Sequence, residues 1–164
     1  TPLYSSAASD VYKRQAVPCL IGCTADVEEL VEGLEVRFLA NRDAQLYFAL
    51  LSDFLDAPSE TLDADAGLLM LARQRIEALN LKYPEEAVER FYLLHRPRLW
   101  NPAEHCWMGH ERKRGKLEDL NALLRGRGRE RFSLIVGDIQ ALPEITYVIT
   151  LDSDTQLPLS LIHI

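Results

Sequence analysis

Short apolar runs alternate along this chain with segments of helical periodicity, and this alternation constrains the fold more than any other feature. The runs at 16–21, 46–51, 90–95, 132–136 and 147–151 are typical of strands. Helical segments follow the first three of them. Strands that alternate with helices are typical of a parallel sheet. We therefore predict an α/β domain whose mainly parallel sheet is flanked by helices.

The three helical segments differ in how clearly they are delimited. The first can be capped by Thr24 or Asp26, the second ends near Lys82, and the third spans 115–125. Residues 96–114 are predicted to form one long loop, a kind of segment that is often functional. The apolar positions of the helices are, in chain order, Val27, Leu30, Val31, Leu34 and Phe38; Leu62, Leu69, Ala72, Ile76 and Leu79; and Leu117, Leu120 and Leu124.

Both ends of the chain differ in character from the rest. Residues 1–15 are small and polar, without apolar periodicity, and together with LSLIHI (159–164) they resemble translated adapter sequence from sequencing data. A disordered natural terminus is the alternative. We therefore expect 1–15 and 159–164 to be non-native tails and 16–158 to be one unit, part of a longer protein.

Charge and cysteine content exclude several classes of protein. The 25 acidic and 18 basic side chains give a formal net charge of -7, which disfavours a generally basic nucleic-acid binder. Cys19, Cys23 and Cys106 are odd in number and lack the Cys-x-x-Cys spacing, so neither a disulfide framework nor a zinc ribbon is predicted. No apolar run is long enough to span a membrane, so we expect this piece to be soluble.

Acidic residues follow two of the predicted strands. In an open parallel sheet, ligands bind beyond the carboxyl ends of the strands. Asp53 follows the second strand, and Asp152 and Asp154 follow the last. Residues two apart in an extended segment point the same way, so Asp152 and Asp154 could hold Mg²⁺ or Mn²⁺ against a diphosphate. The same spacing is common in turns and helix caps.

A basic segment at 111–131 carries eight basic and four acidic side chains. A solvated helix face is one interpretation. A phosphate clamp is the other, because Lys113, Arg114 and Lys116 would cluster at a helix N-terminus, which attracts anions but disfavours cations. Residues that break a local rule in this way are expected at functional sites.

The remaining candidate residues indicate a function less specifically. His95, His105 and His110 form no zinc motif and are predicted to lie in loops or at the surface. Trp100 and Trp107 could stack on a sugar or base, or pack on their own domain. Cys19 is predicted to be a buried apolar residue. No glycine-rich phosphate-binding loop or nucleophile elbow occurs in the sequence.

Taken together, three motifs resemble the inverting, A-type glycosyltransferases that include cellulose synthase. They are Leu-Ser-Asp at 51–53, Gly-Lys-x-x-x-Leu-Asn at 115–121 and Leu-Asp-x-Asp at 151–154. The stretches 33–61, 90–126 and 147–158 are similar in more detail to the glycosyltransferase region of bacterial cyclic β-1,2-glucan synthases. The resemblance implies a Rossmann-like, A-type glycosyltransferase sheet that is truncated at the C-terminus.

The resemblance also implies substrates and residue roles. The donor would be UDP-glucose and the product a growing β-1,2-glucan chain. Asp53 would contact the uridine part of the donor, and Lys116 its diphosphate or sugar. Asp152 and Asp154 would hold the metal–nucleotide complex, with Lys113 and Arg114 as further candidate phosphate contacts. Residues 16–158 would then be the N-terminal, donor-binding part of the glycosyltransferase domain.

The sequence departs from the family pattern in two places. Residues 19–23 replace the aromatic-Asn-Glu that many relatives carry after the first strand. The family's general base and its Gln-x-x-Arg-Trp motif, both downstream of Asp-x-Asp, do not occur. The resemblance therefore implies an inactive fragment of a large membrane-embedded synthase, with its donor site on the cytoplasmic face of the bacterial inner membrane.

Two other classes of function remain open on the sequence. A non-catalytic α/β module could bind a nucleotide or phosphate without metal-dependent chemistry. A nucleic-acid-binding module could use the basic segment and would bind any polyanion with a steep salt dependence. The acidic total and the Asp-x-Asp both count against nucleic acid as a partner.

Overall fold

The computed structural model describes residues 12–42, 46–84, 89–138 and 145–151. These residues form seven strands, three helices and a single 3-10 turn. In chain order they are β1 (Tyr12–Ile21), α1 (Thr24–Ala40), β2 (Leu46–Phe54), α2 (Asp65–Lys82), β3 (Phe91–His95), β4 (Leu99–Asn101), β5 (Cys106–Met108), α3 (Arg112–Leu124), the 3-10 turn (Arg129–Arg131), β6 (Leu134–Val136) and β7 (Ile145–Thr150).

Five strands form a central sheet in the order β6-β3-β2-β1-β7. Strands β3, β2, β1 and β7 are parallel, and only β6 runs antiparallel, against β3. The predicted α/β fold with a mostly parallel, helix-flanked sheet is therefore confirmed and is consistent with a Rossmann-like fold. The chain steps from β1 to β2 and β3 on one side and returns on the other side with β7. The topological switch point consequently lies between β1 and β7.

Each face of the sheet carries its own apolar cluster. Helices α1 and α2 cover one face with the positions predicted from their spacing, and α3 covers the other face. Alternate residues of one strand point to opposite faces, so Leu50 of β2 packs under α1 and α2 while Leu51 packs under α3. Leu62 is an exception, since it precedes α2 and is exposed.

Strand β1 begins earlier than the apolar run predicts. Residues 13–16 pair with β2 on one side, and residues 12–16 with β7 on the other. Arg14 is fully buried 4.6 Å from the centre of the Tyr92 ring, and its guanidinium nitrogens have no hydrogen-bond partner among the described residues. Burial lowers the pKa of Arg14 to about 10. An apolar side chain would suit this position better than an unpaired cation. The origin of residues 1–15 stays a prediction.

Two further boundaries differ from expectation. Strand β2 continues through Phe54, because Ser52 and Asp53 still pair with β1 and are buried between neighbouring strands. Helix α3 begins at Arg112 rather than at residue 115, which moves Lys116 from the first helical turn into the second. The basic residues in the first turn of α3 are therefore Arg112, Lys113 and Arg114.

The predicted loop at 96–114 contains a hairpin. Strands β4 and β5 pair antiparallel as a separate two-stranded sheet. Trp107 also bridges to Ala57, which follows β2. The hairpin is thereby attached at the edge where the parallel strands end.

Candidate functional site

The candidate site lies at the carboxyl edge of the sheet, where β1, β2 and β3 end side by side. Asp53 is the second-last residue of β2 and is only 2% exposed. Arg96 directly follows β3, and its backbone N–H donates to the Ser52 carbonyl at 3.0 Å. Because Ser52 precedes Asp53, this bond fixes Arg96 beside the acid.

Arg96 holds the Asp53 carboxylate through two parallel hydrogen bonds. The Arg96 Nε atom donates to Asp53 Oδ1 at 2.9 Å, and Nη2 donates to Oδ2 at 2.9 Å. Both side chains are buried. This bidentate arrangement is among the strongest pairings of an arginine with a carboxylate. Asp53 is therefore a paired anion in the protein interior.

The same guanidinium joins the sheet to α3. Its Nη1 atom donates to Asp119 Oδ2 at 2.7 Å, and Arg131 Nη1 donates to the other Asp119 oxygen at 2.9 Å. Its Nη2 atom reaches the carbonyls of His110 and Arg112 at 3.0 and 3.2 Å. Burial alone would lower the pKa of Arg96, but its hydrogen bonds and charge pairing with Asp53 and Asp119 raise it overall.

Lys116 completes this set from α3. Its Nζ atom donates to the carbonyl of Cys19 at 2.9 Å and lies 3.4 Å from Asp53 Oδ2. The side chain is 4% exposed. Lys116 thus joins the ends of β1 and β2. We call Asp53, Arg96, Lys116, Asp119 and Arg131 the carboxyl-edge network.

Two glycines allow this close packing. A Cβ atom on Gly109 would lie 2.1 Å from Asp53 Oδ2, and one on Gly115 would lie 1.9 Å from the His110 carbonyl oxygen. Between them, Glu111 and Arg112 adopt left-handed backbone angles, with φ values of 52° and 50°. Such backbone conformations are uncommon for residues other than glycine, and they occur often at functional sites.

The loop after β1 is fixed by its own acidic residue. The Asp26 Oδ2 atom accepts from the backbone N–H groups of Gly22 at 2.9 Å and of Cys23 at 3.2 Å. The N-cap residue of α1 is Cys23, so neither Thr24 nor Asp26 occupies the cap position as predicted, but Asp26 at the third helical position satisfies the N–H group of the cap residue. Cys19 is buried as predicted, and burial raises the pKa of its thiol to about 12, although the charge of Lys116 partly offsets this effect.

The other predicted site residues lie apart from this network or outside the described residues. Lys113 and Arg114 are exposed on α3, and Arg114 pairs with Glu118 at 3.2 Å. Because Lys116 is buried, these three cations do not share one surface. Asp152 and Asp154 fall outside the described residues. Strand β7 ends at Thr150 and runs parallel to β1. The carboxyl end of β7 therefore lies at the same edge of the sheet as the carboxyl end of β1.

His95 was predicted to lie in a loop or at the surface, and that prediction is wrong. It is the last residue of β3 and is fully buried, with Nδ1 2.7 Å from Ser52 Oγ and its ring against Phe54. Burial lowers the pKa of His95 to about 4. His105 and His110 are exposed, as predicted.

Among the described residues, one group of side chains is close enough together to share a metal ion. Asp56, Glu104 and Cys106 place one ligand atom each within 4.8 Å of the others. Arg112 Nη2, however, pairs with both carboxylates at 3.0 Å. Magnesium and manganese prefer oxygen ligands, and both carboxylates already have a cation. This group therefore does not fit either metal, and the same holds for the paired Asp53.

Fold and site together define a class of protein. It is an α/β domain with a Rossmann-like sheet and with charged side chains at the carboxyl edge, next to a topological switch point, which is where open α/β sheets bind their ligands. In the part of the chain that the structure describes, no helix is both long and apolar enough to cross a membrane.

Comparison with known proteins narrows this class. No family model matches the chain. It is 50% identical over 142 residues, 86% of its length, to the cyclic beta-(1,2)-glucan synthase NdvB of Rhizobium meliloti (strain 1021), and it spans 5% of that protein. The chain is therefore homologous to a segment of a cyclic β-(1,2)-glucan synthase, which confirms the resemblance seen in the sequence.

Proposed function

We propose that this chain is the donor-binding part of a glycosyltransferase domain that builds β-1,2-glucan from UDP-glucose with inversion at the anomeric carbon. The observation that carries the proposal is the position of Lys116, whose ammonium group joins the carboxyl ends of β1 and β2 beside the switch point. Homology to a segment of a glucan synthase supports the reaction class. The whole protein would be a membrane-embedded synthase with its donor site on the cytoplasmic face of the inner membrane.

Lys116 would contact the diphosphate of the donor. An ammonium group has three donors. One of them bonds to the Cys19 carbonyl, and Asp53 is an ion-pair partner 3.4 Å away, so donor capacity remains for a phosphate oxygen. As negative charge develops on the departing UDP, a fixed cation at this point would stabilise it.

Asp53 would contact the uridine part of the donor. A carboxylate can accept about four hydrogen bonds. Arg96 supplies two of them and Lys116 adds an ion pair, which leaves capacity for a further donor group. Arg96 would then act as a positioning residue that fixes the orientation of the acid.

Asp152 and Asp154 would hold Mg²⁺ or Mn²⁺. A divalent cation there would offset the charge of the diphosphate. Inversion also needs a general base that deprotonates the acceptor hydroxyl, and none of the described residues is proposed for that role.

Calorimetric titration of UDP into the 164-residue chain tests the proposal. We expect binding in Mn²⁺ that EDTA abolishes and that weakens at least about tenfold in Lys116→Met. Lys82→Met is the matched control, because Lys82 ends α2 at the opposite edge of the sheet and pairs with Glu35. Circular dichroism checks that each variant is folded.

Substitution of Asp152 and Asp154 provides a second test of the proposal. The double variant Asp152→Asn/Asp154→Asn should lose the metal-dependent part of UDP binding. If UDP binds equally well with EDTA and in the double variant, the chain is a non-catalytic nucleotide-binding module. Unchanged affinity in Lys116→Met would contradict the donor site.

A further inference from the structure

We propose that Trp100 and Trp107 form a stacking platform for the pyranose rings of a glucan chain. The two residues lie directly opposite each other on β4 and β5, so their side chains leave the same face of the hairpin. Their ring centroids are 5.9 Å apart and the rings are tilted by 59°. We call this pair the tryptophan platform. The inference rests on the proposed function, because the glucan product suggests the ligand.

Backbone pairing brings the two indoles together. The N–H and C=O groups of Trp107 both bond to Ala57, each at 2.9 Å. They therefore point away from β4, which makes Trp100 and Trp107 a non-hydrogen-bonded pair. Side chains approach more closely in such pairs than in hydrogen-bonded ones.

The platform is open to solvent. Trp100 is 47% exposed, and Trp107 on the same face is partly exposed. Tryptophan is highly buried on average, so two adjacent indoles that both reach solvent are unusual.

Hydrogen bonds and ring contacts order the hairpin that carries the platform. Asn101 Oδ1 accepts from the N–H groups of Ala103 at 2.9 Å and of Glu104 at 3.2 Å, which closes the turn. Glu104 in turn pairs with Arg112 at 3.0 Å. The His105 ring lies edge-on at 6.3 Å from that of Trp100. A site that is ordered before binding loses little conformational entropy when the ligand arrives.

The platform is also close to the carboxyl-edge network along the chain. Only Met108, which is buried, separates Trp107 from Gly109, and Gly109 lies against the Asp53 carboxylate. A glucan chain on the platform would therefore lie next to the proposed donor site.

The surrounding charges favour a neutral sugar over a nucleic acid. Indole faces are electron-rich and attract the C–H groups of a pyranose ring, while polar groups at the rim can bond its hydroxyls. The rim near the platform carries the carboxylates Asp56 and Glu104 against one cation, Arg112. A polyanion would be repelled there, whereas an uncharged oligosaccharide would not.

Tryptophan fluorescence and calorimetry with linear β-1,2-linked gluco-oligosaccharides test the inference on the 164-residue chain. We expect a saturable fluorescence change with a dissociation constant of about 1 mM or below. Trp100→Ala should weaken binding at least about tenfold, and Trp100→Phe should keep most of the affinity because it retains an aromatic face. Leu81→Ala, which removes a side chain that is 80% exposed on α2, should have no effect.

Three results would overturn the tryptophan platform. They are no saturable change, equal affinity in Trp100→Ala, or sedimentation that shows self-association through Trp100 without oligosaccharide binding. UDP titrations on the same samples separate the two proposals. UDP binding without glucan binding rejects the platform alone, whereas glucan binding without UDP binding supports the platform and rejects the donor site.

Discussion

His95 shows how burial at the end of a strand sets the chemistry of one residue. Its imidazole is enclosed between Ser52 and Phe54, and burial lowers its pKa from 6.5 to about 4. In the unfolded chain the same ring is protonated below about pH 6.5. Between these two values the unfolded state binds more protons, so stability must fall as the pH falls.

We therefore expect the free energy of unfolding to decrease between pH 6.5 and 4 by up to about 1.4 kcal/mol per pH unit. His95→Asn should flatten this dependence, since it removes the titrating group. His110→Asn is the control, because His110 is exposed. Urea unfolding at several pH values measures the slopes, and equal slopes in His95→Asn and the unsubstituted chain would contradict the assignment.

Some residues at the carboxyl edge were predicted from the sequence, and others were not. Asp53 and Lys116 were predicted, and the structure brings them together at 3.4 Å. Arg96 was missed, although it satisfies the rule that identified Asp53, namely that a polar residue follows a strand. Asp119 could not be found in this way, because its partner lies 23 positions away and helical spacing does not indicate ion pairing.

Helix α3 shows which details of an element the sequence does not reveal. Its apolar spacing predicted a helix over 115–125, but the basic residues before Gly115 gave no helical signal. The helix nevertheless begins at Arg112, which like Glu111 before it has a left-handed φ, and Gly115 lies against the His110 carbonyl. The hairpin was missed for a related reason, since strands of three residues are too short to show a period of two.

Two glycine-to-alanine substitutions distinguish the effect of a steric contact on stability from the effect of helix propensity. Gly115→Ala should cost about 1–3 kcal/mol or more, because its Cβ would meet backbone that cannot easily move. Gly67→Ala in α2 should stabilise the chain by about 0.5–1 kcal/mol, since nothing lies within 4 Å of its new Cβ. Urea unfolding at neutral pH measures both. A Gly115→Ala variant as stable as the unsubstituted chain would refute the close packing of α3.

At the scale of the whole molecule, alternation of strand and helix predicted the fold class but not the order of strands. The class follows from local patterns, because each element shows its own period. The order depends on pairing between distant segments, such as β1 with β7, which local patterns do not encode. The pairing of β7 with β1 is what places the switch point between these two strands.

The whole molecule also sets the expected activity. The described residues supply candidates for donor binding but none for the general base that inversion requires. We expect the 164-residue chain, given UDP-glucose, Mn²⁺ and a β-1,2-glucan primer, to release no UDP and to elongate no glucan. A coupled assay for UDP and chromatography of the glucan measure this. Elongation by the purified chain would show that it carries its own base.

The charge of the carboxyl-edge network also affects how fast a charged ligand associates with the protein. Three of its members are cations and two are anions, which leaves one positive charge in excess. Arg131 carries part of that charge to the surface, where its side chain is 53% exposed. An exposed cation beside a binding site speeds the encounter with ions of opposite sign, and this gain declines as salt is added. Capture of a negatively charged ligand should therefore be fastest at low ionic strength, before any direct contact forms.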